Sequence, residues 1–446
     1  MAQLAPEAKD AYLSAFREFE KGLNGASRSP IHRLRRQAVG RFESLEFPTT
    51  ADEAWRYTDV APIVSTSFEQ VINSAPPGLS AKQIEPFAFN GTELVFVNGH
   101  YAPELSSQEN LPRGAKAVSL KAAVDSDDDL LSKHLGQYAD YEAQPFTALN
   151  TAFVHDGALI YVPANTVVES PITILFVSTA NGQPTVSHPR CLVIAESHSQ
   201  LAIVETYAGL GTTPYFTNAI TEIAAAEHAV VDHYKLVLEG AKSFHVATTQ
   251  TCQGSASNVS THAISLGGRL VRNEVNARLS GEGGEATVNG FYLLDESQHV
   301  DNHTLIEHVE PHCTSHELFK GILDEKSKGV FRGRIYVHQK AQKTDAYQTN
   351  QNLLLSDDAG VTAKPQLEIY ADDVKCSHGT TIGQLDENAI FYLRSRGLGP
   401  EAARQILIQA FADEILDRIR VAPVRARLDG WVRDKFDRIP GLRKKR

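Results

Sequence analysis

The clearest β-strand pattern in the chain is the stretch Val271-Arg272-Asn273-Glu274-Val275-Asn276-Ala277-Arg278-Leu279. Successive side chains of a strand point to opposite faces, so Val271, Val275, Ala277 and Leu279 fall on one face of this stretch. The charged and amide side chains between them fall on the other face. The pattern predicts a strand with one face in a core and one polar face.

Similar short runs fill the middle of the chain, between residues 159 and 380: Ile172–Val177, Cys191–Ala195, Leu201–Thr206, Val230–Leu238 and Val288–Leu294. Glycines separate the runs at corners that can require a positive φ, as at Gly267-Gly268 and Gly283-Gly284. No helical segment of ten or more residues interrupts them, which argues against a βαβ sheet. The runs must therefore close into a barrel, a sandwich or a coil, and periodicity alone does not choose among these.

Both ends of the chain are predicted to be helical. Leu13, Phe16, Phe19 and Leu23 recur at three- and four-residue steps, as on the apolar face of a helix. Near the other end, Gly399-Pro400-Glu401 is a helix start with proline at the first helical position and an acid in the first turn. An apolar stripe follows it: Ile406, Leu407, Ala410, Phe411, Ile415, Leu416 and Ile419.

Composition excludes some classes of protein. The 446 residues carry a formal net charge of −11 with a sequence pI near 5.9, whereas a nucleic-acid binder needs a basic surface. No apolar run approaches the roughly 20 residues needed to span a bilayer. The first residues lack the apolar region of a signal peptide, and Glu7, Asp10, Glu18 and Glu20 argue against a transit peptide. We expect a cytoplasmic protein that binds neither nucleic acid nor membrane.

The four cysteines, Cys191, Cys252, Cys313 and Cys376, recur at nearly equal intervals along the chain. If the chain coils with about 20 residues in each turn, neighbouring cysteines lie three turns apart. At roughly 4.8 Å per turn, that distance is about 14 Å, which is beyond the reach of a disulfide. We therefore do not expect a four-cysteine metal site.

The densest group of metal-binding residue types lies between residues 299 and 316: His299, His303, His308, His312, Cys313 and His316. Imidazole and thiolate suit zinc or iron, so a self-contained metalloprotein is one hypothesis. Strand alternation would place His299 and His303 on one face and His308 on the other. Polar strand faces and turns are the alternative interpretation.

A second candidate site is Cys376 with His378, which project to the same side of a strand because they stand two residues apart. Lys375 beside them would lower the thiol pKa. Together the thiolate and imidazole would hold iron or receive sulfur. A buried cysteine beside a hydrogen-bonded histidine is the alternative.

A carbohydrate-active β-helix enzyme would instead use Asp372, Asp373 and Lys375 as acid–base groups. Adjacent Asp372 and Asp373 point to opposite faces of a strand, which is poor geometry for one site. The chain also lacks the export signal common in such enzymes, and it contains no recognisable nucleotide-binding motif.

Several motifs resemble the SufB/SufD family of the SUF iron–sulfur cluster assembly machine: Glu53–Thr58, Lys320–Leu323, Phe331–Gly333, Ala341–Gln348, Pro365–Tyr370, Asp372–Gly379, Gly383–Asp386 and Phe391–Gly397. The resemblance covers most of the chain and is densest from about residue 300 to 420. Two departures favour the SufD members over the SufB members. Ile203–Gly209 has no cysteine, and Gly379 follows His378 where SufB proteins have glutamate.

The resemblance implies a mainly β protein with a right-handed parallel β-helix core. It divides the chain into an N-terminal helical subdomain (1–90), the core (91–385) and a C-terminal helical subdomain (386–446). The implied role is a non-catalytic scaffold that pairs with SufB, or with a second copy of itself when isolated. The ATPase SufC would dock on the C-terminal helix residues Ile406, Leu407, Phe411, Ile415 and Leu416.

The resemblance also implies that a transient iron–sulfur cluster is built at the SufB interface. His378 would be the contributed residue and a transient metal ligand, with Cys376 as the neighbouring thiol. No cofactor would be stably bound by this chain alone.

Overall fold

The N-terminal part of the chain packs short helices against the start of a β core. The computed structural model describes residues 4–23, 29–71, 78–109, 111–126, 128–179 and 182–436. Its first elements, with a 3₁₀ turn at Glu53–Trp55, are α1 (Leu4–Lys21), α2 (Pro30–Ser44), α3 (Ala61–Val64), β1 (Glu69–Gln70), α4 (Ala81–Ile84), β2 (Glu93–Val97), β3 (His100–Tyr101), β4 (Lys116–Ser119), α5 (Leu120–Asp125), α6 (Asp129–His134) and α7 (Pro145–Ala152). Three of these helices, α5 to α7, lie beyond residue 90.

The middle of the chain is a β-helix of about 8 turns. The predicted mainly β fold with helical ends is confirmed. Its strands are β5 (Gly157–Val162), β6 (Ile172–Ser178), β7 (Thr185–Ser187), β8 (Arg190–Ala195), β9 (Gln200–Gly209), β10 (Tyr215–Ala225), β11 (Val230–Leu238), β12 (Phe244–Gln253), β13 (Asn258–Ser265), β14 (Leu270–Leu279), β15 (Glu285–Leu294), β16 (His299–His308), β17 (Thr314–Leu323), β18 (Lys328–Val337), β19 (Asp345–Leu354), β20 (Gly360–Ala363), β21 (Gln366–Ile369) and β22 (Lys375–Gly383).

From β8 to β20, successive strands alternate between two sheets whose strands in this region are parallel, and β21 shares the first sheet with β20. The first sheet runs β5, β8, β10, β12, β14, β16 and β18, then ends at β20 and β21; the second runs β6, β9, β11, β13, β15, β17, β19 and β22. One column of the second sheet joins His233, Thr261, Val288, Glu317, Gln348 and His378. Each step along this column is one complete turn of the chain.

The turn length expected from the sequence is wrong, because the real turn is longer. Ten-residue strands on both sheets and two corners are needed to complete one turn. The interval between successive cysteines thus equals about two turns. Cys252 lies on the first sheet and Cys313 just before a strand of the second, so the regular spacing does not produce one line of thiols. All four cysteines are free.

The corner from the first sheet to the second is the same in consecutive turns. One residue there adopts positive φ, as His198, His228, Ala256, Gly283, His312 and Lys343 do. Each such residue donates its backbone N–H to a carbonyl of the next turn, for example His312 to Gln342 at 2.9 Å. These bonds satisfy backbone groups that a corner would otherwise leave unpaired.

The predicted alternation on β14 is confirmed: Val271, Val275, Ala277 and Leu279 are all buried. The opposite face of this strand is not simply solvated, because residues 53–58 lie across it. These residues form the N-terminal clamp. Its contacts make Arg272 fully buried although it points away from the β-helix interior.

Up to residue 436, where the described part ends, three helices follow the last strand: α8 (Glu387–Ser395), α9 (Pro400–Leu416) and α10 (Ala422–Phe436). Helices α9 and α10 pack on the outer face of the second sheet in one apolar cluster with Phe291, Leu318 and Ile322. Lys320 of that sheet bonds Glu414 at 2.5 Å and lies 3.9 Å above the Phe411 ring. Among the described residues, no helix is both long and apolar enough to cross a membrane.

Candidate functional site at the open end of the β-helix

The last turn of the β-helix leaves a strand edge open. Strand β22 pairs along one side with β19, and in the described part of the chain no strand pairs with its other side. An unpaired edge presents a row of backbone donors and acceptors to which another chain can add. Eight of the nine residues of β22 are exposed.

Cys376 and His378 lie on this edge strand, as predicted. Cys376 points inward, is half-buried, and packs on the apolar cluster that contains Ala346 and Cys313. His378 projects to the same side two residues later and is exposed, because no further turn within the described residues covers it. The structure therefore places the imidazole at the mouth of the β-helix interior.

The expected lowering of the Cys376 pKa is wrong. Burial raises the pKa of this thiol, and the charge of Asp345 raises it further. Lys375 points to the opposite face of the strand. Cys376 is therefore mainly a protonated thiol in the isolated chain near neutral pH.

Two buried polar residues lie directly behind His378. Gln348 is its register partner on β19, and Glu317 is the partner of Gln348 on β17. The Gln348 amide donates to Glu317 Oε2 at 2.6 Å. Sequence reasoning missed both residues. The sequence pattern that could have identified them is the recurrence of inward-facing polar residues at intervals of one turn. This pattern can be recognised only when the turn length is known.

Apolar side chains surround the same end. Ile369 and Tyr370 at the end of the first sheet are exposed, and Ile382 on β22 is 45% exposed. On the neighbouring helix α8, Phe391 is 72% exposed and Tyr392 is also exposed. Grouped exposed apolar residues beside an unpaired edge are typical of a protein interface.

The histidine group between residues 299 and 316 is dispersed. His299 and His303 face outward on the first sheet, whereas His308 faces inward and bonds Ser315 at 2.9 Å. His312 is at a corner, and His316 stacks on Tyr347 of the second sheet. Throughout the described segments, no group of three potential ligands could hold a metal ion. The geometry of the described residues therefore does not support the hypothesis of a self-contained metalloprotein.

The acid–base groups of the carbohydrate-active alternative are also not assembled. Asp372 and Asp373 are exposed residues of the turn before β22. Asp373 forms an ion pair with Lys343 rather than with Lys375. These side chains therefore form surface contacts on a corner.

Two of the five predicted docking residues are unavailable for contact with a partner. Ile415 and Leu416 are completely buried between α9 and the second sheet, so they hold the helix to the β-helix. Phe411 is half-buried beneath Lys320, and Leu407 is half-buried. Ile406 is 45% exposed and lines a groove between α9 and α10 with Ala402, Ala410 and Phe436.

A charged network inside the β-helix was not predicted either. Glu205 bonds His233 at 3.0 Å and Thr221 at 2.8 Å, and Lys235 bonds Asn273 at 2.9 Å. Burial lowers the pKa of Lys235 to about 8. Burial tends to raise the pKa of Glu205, but hydrogen bonding and charge from His233 outweigh it and lower that pKa to about 2. This network lies several turns from the open end.

The fold and the site define a β-helix protein in which Cys376 and His378 lie on an open strand edge to which another chain can add. Comparison with known families identifies it further. Residues 6–174 match the SufBD protein N-terminal region, and residues 176–411 match the SufBD core domain of SUF system FeS cluster assembly. The chain belongs to the SufBD family of SUF iron–sulfur cluster assembly proteins.

Curated relatives support this membership along the whole chain. An iron–sulfur cluster assembly SufBD family protein of Synechocystis is 36% identical over 94% of both chains. The SufD protein of Escherichia coli is 30% identical over 89% of this chain and 90% of its own length. The SufD protein of Bacillus subtilis is 26% identical over 93% of this chain and 97% of its own. The resemblance inferred from the sequence motifs is confirmed.

Proposed function

We propose that this chain is a non-catalytic scaffold subunit of the SUF machine that pairs with SufB through the open end of its β-helix. A nascent iron–sulfur cluster is built at the junction, where His378 holds iron transiently through its neutral imidazole. The cluster is the cargo of the complex, and the chain alone keeps no cofactor. We place the complex in the cytoplasm.

One observation carries this proposal: His378 is exposed on an edge strand that has room for a partner. The unpaired backbone groups of β22 supply directional contacts, and Ile382 and the neighbouring exposed apolar side chains supply surface to bury. When SufB is absent, a second copy of the chain can cover the same surface, so the isolated protein is expected to form a homodimer.

We further propose that SufC, which supplies the ATPase activity, docks in the groove between α9 and α10. The exposed side of α9 carries Ile406 there, whereas its opposite side is used by packing on the β-helix. The five-residue docking surface expected from the sequence is thereby reduced to its exposed part. The Lys320–Glu414 ion pair and the apolar contacts around it join α9 to the second sheet.

Co-expression with SufB and SufC tests both contacts. We expect the parent chain to co-purify with both partners. Ile406→Glu places a charge in the α9–α10 groove and should lower SufC recovery at least about tenfold, while SufB recovery is unchanged. Ile382→Glu is the matched control at the open end, with the same exposed fraction, and should show the reverse pattern.

Circular dichroism and thermal unfolding of both variants verify that each is folded. A folded Ile406→Glu variant that retains SufC would reject the docking groove. A folded Ile382→Glu variant that retains SufB would reject pairing through the open end.

A further inference from the structure

Behind His378 the interior contains a buried amide with an unused acceptor. Gln348 is 1% exposed, yet its Oε1 has no hydrogen-bond partner among the described residues. A buried acceptor without a partner costs free energy unless a partner arrives. The position of this oxygen therefore requires an explanation.

The amide is held in place from two sides. Its Nε2 donates to Glu317 Oε2 at 2.6 Å. Across the interior, Gly333 leaves the space that the amide fills, because a Cβ at that position would collide with Nε2. The Gln348 nitrogen is thus bound, whereas its oxygen has no partner among the described residues.

His378 is the residue placed to use that oxygen. It is the register partner of Gln348 on the next strand, and both side chains project toward the interior side of the second sheet. Adjacent strands lie about 4.8 Å apart, so an imidazole N–H can reach an acceptor on its register neighbour. Histidines that bind metals usually donate their second N–H to a carbonyl or carboxylate, which fixes the tautomer.

We propose that Gln348 is a positioning residue for His378: its Oε1 accepts a hydrogen bond from one ring N–H, which directs the lone pair of the other ring nitrogen to the open end. Glu317 holds the Gln348 amide in the orientation that presents this oxygen. The inference rests on the proposed function, since it assigns His378 to iron. Gln348 itself does not contact the cluster.

The test compares variants in complexes co-expressed with SufB and SufC, with iron and acid-labile sulfide measured per complex. Gln348→Leu removes the acceptor and should lower cluster content about tenfold or more. The double variant Gln348→Glu with Glu317→Gln exchanges the two groups, so an amide still donates to a carboxylate and position 348 keeps an acceptor oxygen for His378. It should recover most of that loss. Asn352→Leu is the matched control, because Asn352 is a buried inward-facing amide on the same strand in register with Ile382 instead of His378.

We expect Asn352→Leu and Gln348→Leu to lose similar stability in thermal unfolding, while only Gln348→Leu loses cluster. Equal cluster loss in the two leucine variants would overturn the inference, and so would full cluster content in Gln348→Leu or failure of the Gln348→Glu/Glu317→Gln double variant to recover it. If His378→Ala retains full cluster content, the proposed function itself fails. Loss in His378→Ala without loss in Gln348→Leu would reject only the role of Gln348.

Discussion

Replacing Arg272 by Met is expected to lower the free energy of unfolding by about 3 to 5 kcal/mol. The guanidinium is fully buried and bonds Asp301 at 2.6 Å and Glu274 at 2.7 Å. It also donates to the Ala54 carbonyl at 2.9 Å and lies 4.0 Å from the centre of the Trp55 ring. The variant leaves the Asp301 carboxylate buried without its cation and loosens the N-terminal clamp.

Urea denaturation measures this effect, and Arg278→Met is its matched control on the same strand. Arg278 is about half exposed and bonds Glu307 at 2.7 Å, so solvent screens this ion pair. Its loss should change the free energy of unfolding by less than about 1 kcal/mol. Equal effects of the two substitutions would contradict the role assigned to the N-terminal clamp.

The second large effect concerns Glu317, whose pKa is raised from 4.5 to about 7 because burial disfavours the carboxylate. Its polar neighbours Thr304 and Gln348 lower the pKa but carry no charge. The unfolded carboxyl ionises near 4.5, so stability is lost as the pH rises above that value. The loss levels off above pH 7, at about 3 kcal/mol.

Glu317→Gln removes this ionisation while keeping an oxygen that accepts from Gln348. We expect the variant to exceed the parent in stability by up to about 3 kcal/mol at pH 8 and to match it near pH 4.5. Asp357→Asn, at an exposed carboxylate, is the control and should change stability little at either pH. A Glu317→Gln difference that stays constant from pH 4.5 to 8 would contradict a buried neutral carboxyl.

The strands and terminal helices were predictable because their signals are local. The alternation of Val271–Leu279 can be recognised from neighbouring residues alone. The same is true of the apolar stripe that begins at Ile406. The turn length was not predictable, because it depends on how many residues the corners take. Burial of Arg272 also escaped prediction, since the clamp that covers it comes from the N-terminal part of the chain, far from β14 in sequence.

The candidate site was predictable in the same limited sense. Cys376 and His378 share a side because strand alternation is local. Gln348 and Glu317 are one and two turns away, so only the three-dimensional register brings them behind His378. The prediction assigned too many residues of α9 to the docking surface. An apolar stripe in the sequence does not show which of its residues pack on the protein's own sheet.

The central claim is that His378 serves a site completed by a second subunit. Its most direct test is the iron and sulfide content of the co-expressed complex carrying His378→Ala, with His316→Ala as a control on an outward-facing histidine of the same sheet. We predict that both variants assemble with SufB and SufC and that only His378→Ala lacks the cluster. A His378→Ala complex with the parent's full content of iron and sulfide would contradict the claim.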